Sequence, residues 1–527
     1  MAELALTRRN FVRAAAATAV ATGIAVEDAP AVASEAAAPA DDALECDVVV
    51  VGLGASGLFA ACGAANAGAR VVAVDAAASM DGTTNTRTSA PWVCGSSLQA
   101  EGPEPLTVQE CMDYVNNGTN YQSNQKALRA TIGAGGRAVQ MLIDAGMPFN
   151  VDFAATDSST PMMQRGGHLY GVAGEERAAY FTKVADEAGV ECLFSTTAEE
   201  LLLDEAGEVA GVRCTTPDGT LDIAAKAVCL CSGGFLGSEE EIAKYFSGAE
   251  IVCMGNPLCT GNGINMALSA GAQVGKCFSI SMNEYGGANK KASPTYSFRP
   301  NMGTNEAMRL PVFGGLLVDS MGDRFVNEGV MCEKTMFCAE PLIRDSYHYA
   351  LCDEDYLAMW ESTPLDNLMG DARMKGMFAG VMAEDLRGQF DQGIAEGWAF
   401  KADTLAEVAE HFGLPNLEAT VAAYNELCEK GADDEFFKDA RYLTPVKNGP
   451  FYIVQSMPAG WLSLGGIKCN AAMQALDAQN KTIPHLFVAG ADADIFTSPY
   501  YAAGSANGFA LGSGLVAGEA AAADALA

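Results

Sequence analysis

Asp47-Val48-Val49-Val50-Val51-Gly52-Leu53-Gly54-Ala55-Ser56-Gly57 is the stretch on which the reading of this chain turns. Five residues ending in four consecutive valines read as a strand buried on both faces. The strand runs directly into three glycines at G-x-G-x-x-G spacing and then into an Ala-rich helical stretch that reaches Ala67 and stops at Gly68. A second strand, Arg70 to Val74, ends in Asp75. Strand, glycine turn, helix, strand and terminal acid together are the βαβ unit that binds a dinucleotide. Gly52 permits the tight turn, Gly54 lets a pyrophosphate approach the backbone, and Gly57 lets the helix pack on the strand. Ala55 and Ser56 open the helix, whose N-terminus carries about +0.5 charge toward the phosphates. Asp75 is placed to take the ribose hydroxyls.

Around this unit the composition narrows the function. The chain has 527 residues, enough for two or three domains, with 49% hydrophobic and 19% charged residues, a globular balance. Against 32 Lys+Arg stand 66 Asp+Glu, a net charge of −34, so neither a nucleic acid nor an anionic lipid surface is the expected partner. Only 4 histidines are present (His168, His348, His411 and His485), which argues against a multi-histidine zinc site.

The first 33 residues read as a targeting peptide. Thr7-Arg8-Arg9-Asn10-Phe11-Val12 resembles the twin-arginine export signal, a soft Ala/Thr-rich run follows from Ala14 to Val26, and Ala31-Val32-Ala33 offers a cleavage site. The run is too short for a membrane span, no other candidate anchor is seen, and residues 34–44 read as a flexible linker. The expected location is therefore the cell envelope, the periplasm or the extracytoplasmic face, reached by export in the folded state.

Further along the chain the motifs resemble the fumarate reductase group of flavoproteins. Asp81-Gly82-Thr83-Thr84-Asn85 falls where that group has a glycine-rich loop near its flavin. Cys229-Leu230-Cys231-Ser232-Gly233-Gly234-Phe235 resembles its second strand-turn, and Thr260-Gly261-Asn262-Gly263 its T-G-D-G turn. Asp323-Arg324-Phe325-Val326-Asn327-Glu328 is similar to its R-F-x-N-E segment, with Leu464-Gly465-Gly466 and Val488-Ala489-Gly490-Ala491-Asp492 similar to its C-terminal elements. The resemblance implies FAD as cofactor, held also by Thr83, Thr84, Asn85, Gly233, Gly490, Asp492, Gly504 and Ser505. It implies an α/β fold with a Rossmann-like FAD-binding domain in two segments, 45–270 and 445–527, and an inserted α+β capping domain at 271–444.

The departures from that group bear on substrate. The family's proton-donating Arg falls on Cys332, its late His on the Trp461-Leu462-Ser463 segment, its final Arg on Tyr501, and an earlier His near Met282 or Asn283. A buried carboxylate without a cationic partner costs about 3–5 kcal/mol, so a small dicarboxylate is not the expected substrate. Tyr500-Tyr501 before the glycine turn resembles the 3-ketosteroid dehydrogenase branch, where a Tyr bonds the substrate carbonyl. That resemblance implies carbonyl polarisation by Tyr501, with Tyr500 beside it. Cys332, Glu333 and Lys334 stand where the proton donor is expected, with Tyr285 and Tyr296 as further candidates.

All 16 cysteines follow the targeting peptide. Several lie in apolar runs as packed thiols, there is no haem or ferredoxin spacing, and a non-contiguous [4Fe-4S] cluster stays open with no ligands assigned. The expected activity is an exported, FAD-dependent ene-reductase of a neutral α,β-unsaturated carbonyl compound, a steroid-like enone or an unsaturated lactone of the cardiac glycoside type. The small-molecule substrate is joined by an external electron donor, a membrane or envelope cytochrome. Two alternatives remain at this stage: a 3-ketosteroid desaturase, and an FAD electron-transfer subunit with no substrate of its own.

Overall fold

The computed structural model describes residues 44–527 except 89, 276–277, 288–304, 334–346, 371–374, 377 and 496–504; the side chains of 279–287 are also not described. The targeting peptide and linker at 1–43, Lys334, Tyr296, Tyr500, Tyr501 and Gly504 lie outside the described residues, as does the side chain of Tyr285.

The valine run forms β1 (Leu44–Val51), and its residues 48–51 are buried. Burying a valine contributes about 1.5–3 kcal/mol, so this strand belongs in the middle of a sheet. It pairs in parallel with β2 (Val71–Val74) on one side, Val48 opposite Val71, and with β6 (Gly219–Leu230) on the other, Val51 opposite Leu230. The full eight-stranded sheet runs β13-β14-β6-β1-β2-β3, with β3 at Glu191–Leu193, β13 at Gln474–Leu476 and β14 at Thr482–Val488. The antiparallel pair β4 (Thr197–Leu203) and β5 (Val209–Thr216) joins the N-terminal half of β6.

A six-stranded sheet is organised around β12 (Phe451–Leu464), the longest strand at 14 residues. The first half of β12 pairs antiparallel with β10 (His348–Asp353) and β11 (Ala399–Ala402); its second half pairs with β8 (Ser279–Gly287) and, in parallel, with β7 (Val252–Cys253). Strand β9 (Leu316–Val318) completes the sheet beyond β10. The sheet thus takes β7 from before residue 271 and β12 from after residue 444, crossing both expected boundaries of the capping segment.

Five helices matter for the site: α1 (Ala55–Asn66), α2 (Gln125–Asp144), α3 (Asn262–Ser269), α4 (Gly329–Glu333) and α5 (Ser505–Ala525). Helix α5 is apolar nearly all round and buried between α1 and α2. Its approach is close because of missing side chains. A Cβ on Gly518 would lie 1.9 Å from the Ala60 carbonyl oxygen of α1, and one on Gly512 would lie 2.2 Å from the Thr131 carbonyl oxygen of α2.

Two of the four histidines are core groups. His168 Nδ1 lies 2.9 Å from the Gly166 carbonyl, which can only accept, so Nε2 accepts from Ser96 Oγ at 2.6 Å. His348 on β10 meets Ser456 of β12 at 3.0 Å. Burial pushes His168 down to about 4 and His348 down to about 3, from an ordinary 6.5. Both rings are neutral in the folded state where the unfolded chain would protonate them. Stability is therefore highest above pH 6.5 and falls as pH drops toward 4, by up to about 1.4 kcal/mol per pH unit per histidine. Urea melts between pH 7.5 and 4.5 should show this loss, and His168→Gln should flatten the slope; a melt midpoint independent of pH across that window would refute it.

Candidate functional site: a dinucleotide cradle and its wall

The first glycine turn has the geometry its sequence implies. Gly52 sits at φ +93°, a conformation that favours glycine, and a Cβ on Gly57 would lie 1.7 Å from the Gly52 carbonyl oxygen. The N-cap of α1 is Gly54, which offers no side chain, and the first turn holds no acid to repel a phosphate. Thr84 lies over this turn: its Oγ1 accepts from the Ala55 N–H at 3.2 Å. Asp75 closes the cradle from the end of β2, its two oxygens accepting from Leu53 N at 2.6 Å and Ala77 N at 2.7 Å. Burial raises its carboxyl while these N–H donors lower it. Thr83 bonds the Met80 carbonyl at 2.7 Å, and Asn85 donates to the Leu53 carbonyl at 2.8 Å, tying the 83–88 loop to the glycine turn.

The second turn docks beside the first. Gly233 and Gly234 both have positive φ, and Asp492, fully buried, accepts from Ser232 N at 2.5 Å and Gly234 N at 2.8 Å. Burial raises the Asp492 carboxyl against those bonds. Its neighbour Gly490 faces Ser56, where a Cβ would lie 2.4 Å from Oγ, so two of the segments expected to hold FAD meet. Gly263, opening α3, is pressed against Asp492 in the same way. Ser463, from the segment where the resembling family has a histidine, uses Oγ to accept from Phe235 N at 3.2 Å. A small, mainly apolar recess of about 40 Å³ opens here, lined by Leu462, Gly465, Ala491, Ile495, Ala506 and Phe509 among others. Ser505, buried at the start of α5, stands next to it in sequence, immediately after the segment that holds Tyr500, Tyr501 and Gly504.

A second cluster is built where α4 meets the 3₁₀ helix Glu306–Phe313. The R-F-x-N-E segment folds back on itself: Arg324 Nε donates to Glu328 at 3.0 Å, and one terminal nitrogen reaches both Glu328 and Asp433 at 2.8 Å. Lys438 is buried beside them, donating to the Gly314 carbonyl and Tyr424 hydroxyl, each at 2.9 Å. Two of the expected proton donors, Cys332 and Glu333, make other contacts. Cys332 is fully buried on α4, its thiol pushed up to about 12 by desolvation, and it packs near Gly314. Glu333 accepts from Arg441 at 2.7 Å and from the Tyr442 hydroxyl. Cys332 is thus a packing residue here and Glu333 an ion-pair partner, a different placement from that expected at the start.

A buried pair escaped the sequence reading. Arg309 is 1% exposed, bonded to Glu306 one helical turn earlier and lying over the Phe378 ring at 4.9 Å. Burial raises the Glu306 carboxyl, opposed by Arg309. The signal was there: an E-x-x-R spacing inside an otherwise apolar run is costly unless the two charges meet.

The donors and surfaces suit FAD. The glycine turn leaves a bare cradle, and three buried polar atoms on the adjoining segments have no partner: Asn85 Oδ1, Thr88 Oγ1 and Asn507 Oδ1. Such orphans are rare in native proteins and call for a ligand or water. Among the described residues no cluster of three or more His, Cys, Asp or Glu is arranged to hold a metal. No described helix is long and apolar enough to cross a membrane.

Comparison with known proteins agrees with this geometry. The FAD binding domain family model matches residues 47–507. A vinyl phenol reductase from Lactiplantibacillus plantarum is 27% identical, over 90% of this chain and 95% of its own. A urocanate reductase from Eggerthella lenta is 28% identical, over 86% of this chain and 71% of its own. The open conformation of a flavocytochrome c3 fumarate reductase superposes with a TM-score of 0.64 at 22% identity, over 92% of this chain and 80% of that one.

Proposed function

This chain belongs to the FAD binding domain family and is an FAD-dependent oxidoreductase, and from that premise we propose that it reduces the carbon–carbon double bond of a neutral conjugated carbonyl compound, a steroid-like enone or unsaturated lactone. One observation carries the substrate class: the buried cations described above, Arg309, Arg324 and Lys438, already face Glu306, Glu328 and Asp433. A substrate carboxylate would have to displace one of these partners and strand it, at about 3–5 kcal/mol. The small recess beside Leu462 and Phe509 has no cation among its described lining residues to meet a carboxylate.

In this reading FAD supplies the hydride when bound and reduced. The residues of the chain do the rest. The first turns of α1 and Asp75 hold the nucleotide, and Tyr501, outside the described residues, donates a hydrogen bond to the substrate carbonyl. The buried Glu306–Arg309 pair, a carboxyl bonded to a guanidinium one helical turn away, takes the proton-transfer role in this reading in place of Cys332 or Glu333. Export by the twin-arginine route and electron supply by an envelope cytochrome complete the proposal.

Photoreduced enzyme, mixed anaerobically with fumarate, urocanate, cinnamates, steroid enones and cardenolides, should be reoxidised by uncharged members of the set. Tyr501→Phe should keep FAD and lose roughly a hundredfold in turnover. Brisk oxidation by fumarate alone would overturn the substrate class, and full turnover in Tyr501→Phe would remove that residue from the reaction.

A further inference from the structure

The partnerless polar atoms lie on two segments far apart in the chain. Asn85 and Thr88 belong to the 83–88 loop, and Asn507 to the first turn of α5. One side chain links the two. Arg177, on the helix Gly174–Ala188, is 7% exposed. Its Nε donates to the Val172 carbonyl at 2.8 Å, and one terminal nitrogen donates to the Thr86 carbonyl at 3.3 Å and to the Thr88 carbonyl. The guanidinium lies over the Tyr170 ring, 4.8 Å from its centroid. Tyr170 is itself buried between Phe149 and Phe181, and its hydroxyl accepts from Asn507 Nδ2 at 3.3 Å. A further close approach lies four residues beyond the loop: a Cβ on Gly508 of α5 would lie 2.0 Å from the Trp92 carbonyl oxygen.

We propose that Arg177, Tyr170 and Asn507 form a tie that holds the 83–88 loop at a set position against α5 and thereby sets how tightly, and in what environment, FAD is bound. Arg177 touches neither substrate nor reacting atoms; it is a positioning residue acting through the Thr86 and Thr88 carbonyls. Three carbonyls around one planar group call for a guanidinium, because its donors are spread in a fixed plane and remain charged. An ammonium on a flexible stem keeps the charge but cannot hold the same fan of acceptors. The inference rests on FAD binding alone, so it stands or falls independently of the substrate class.

The test uses the full-length protein, stripped of flavin and reloaded. FAD affinity, the visible absorption and circular dichroism of the bound flavin, and the melting temperature of the apoprotein are measured for Arg177→Met, Arg177→Lys and Tyr170→Phe. Arg177→Met should bind FAD at least about tenfold more weakly and shift the flavin dichroism, a loss larger than any fall in apoprotein stability accounts for. Arg177→Lys should recover part of the affinity, and Tyr170→Phe should move both readouts the same way by less. Affinity within about twofold of wild type and an unchanged flavin spectrum in all three variants would overturn the proposal. So would a loss of apoprotein stability that accounts for the whole loss of affinity. If Arg177→Met does not fold, Arg177→Lys and Tyr170→Phe decide the question on the same readouts.

Discussion

Gly57→Ala should yield a nearly colourless protein. The added methyl carbon would lie 1.7 Å from the Gly52 carbonyl oxygen and 2.7 Å from its carbon, inside the van der Waals surface of a turn that has no flexible end to move aside. Relief requires α1 to lift from β1, which moves the Ala55 N–H and the Thr84 hydroxyl bonded to it. Overpacking of this kind costs about 1–3 kcal/mol or more, and because the strained atoms are the cradle itself, FAD affinity should fall by at least about a hundredfold. Gly133→Ala provides the contrast. Gly133 lies within α2 with nothing inside 4 Å of its would-be Cβ, so this variant should keep its flavin and gain about 0.5–1 kcal/mol of stability. Flavin content per chain, read from the visible spectrum of the purified proteins, separates the two. Normal yellow Gly57→Ala would show that the glycine turn is not where the nucleotide binds.

The second large effect is expected at Glu328. Arg324 and Glu328 are 2% and 0% exposed, joined by two hydrogen bonds, with Asp433 and Lys438 closing the cluster. Glu328→Gln keeps the shape and removes one negative charge, leaving two buried cations with the buried Asp433 and the exposed Glu435, 3.4 Å from Arg324. Removing one partner of a buried pair costs about 3–5 kcal/mol, most of it the penalty of the stranded charge. The urea midpoint should drop accordingly, with no change in denaturant slope. Replacement of the cluster by apolar residues of similar volume would cost far less, which is the reason the single substitution is the informative one. A loss under about 1 kcal/mol would mean the cluster is open to solvent. The result also defines the motif: flavin content should be retained, because the R-F-x-N-E residues brace α4 and make no described contact with the cradle.

How much of this was legible in the sequence depended on how far apart the interacting residues lie. The β1–α1–β2 unit could be read directly, since the turn at Gly52, the helix stop at Gly68 and the acid at Asp75 are all set within 30 residues by local backbone rules. Membership of β12 in the second sheet could not, because its register is fixed by strands about 50 to about 200 residues upstream. The partners of Arg324 include Asp433, 109 positions away, and those of Arg177 lie 89 and 91 positions back. Nothing at either end marks such a pair. Cys332 shows the converse: its position in a motif points to chemistry, while its complete burial is a property no local pattern displays.

Helix α5 also constrains how this protein comes into being. Its contacts with α1 and α2 are backbone to backbone, and they join chain segments separated by everything from residue 145 to residue 504. Synthesis that halts anywhere in that interval releases a polypeptide whose alanine-lined helices have no mate, exposed to proteases and to one another. Assembly of the nucleotide-binding half therefore waits on the far end of the chain, and a ribosome must pass residue 525 before cofactor loading can lock the product in place.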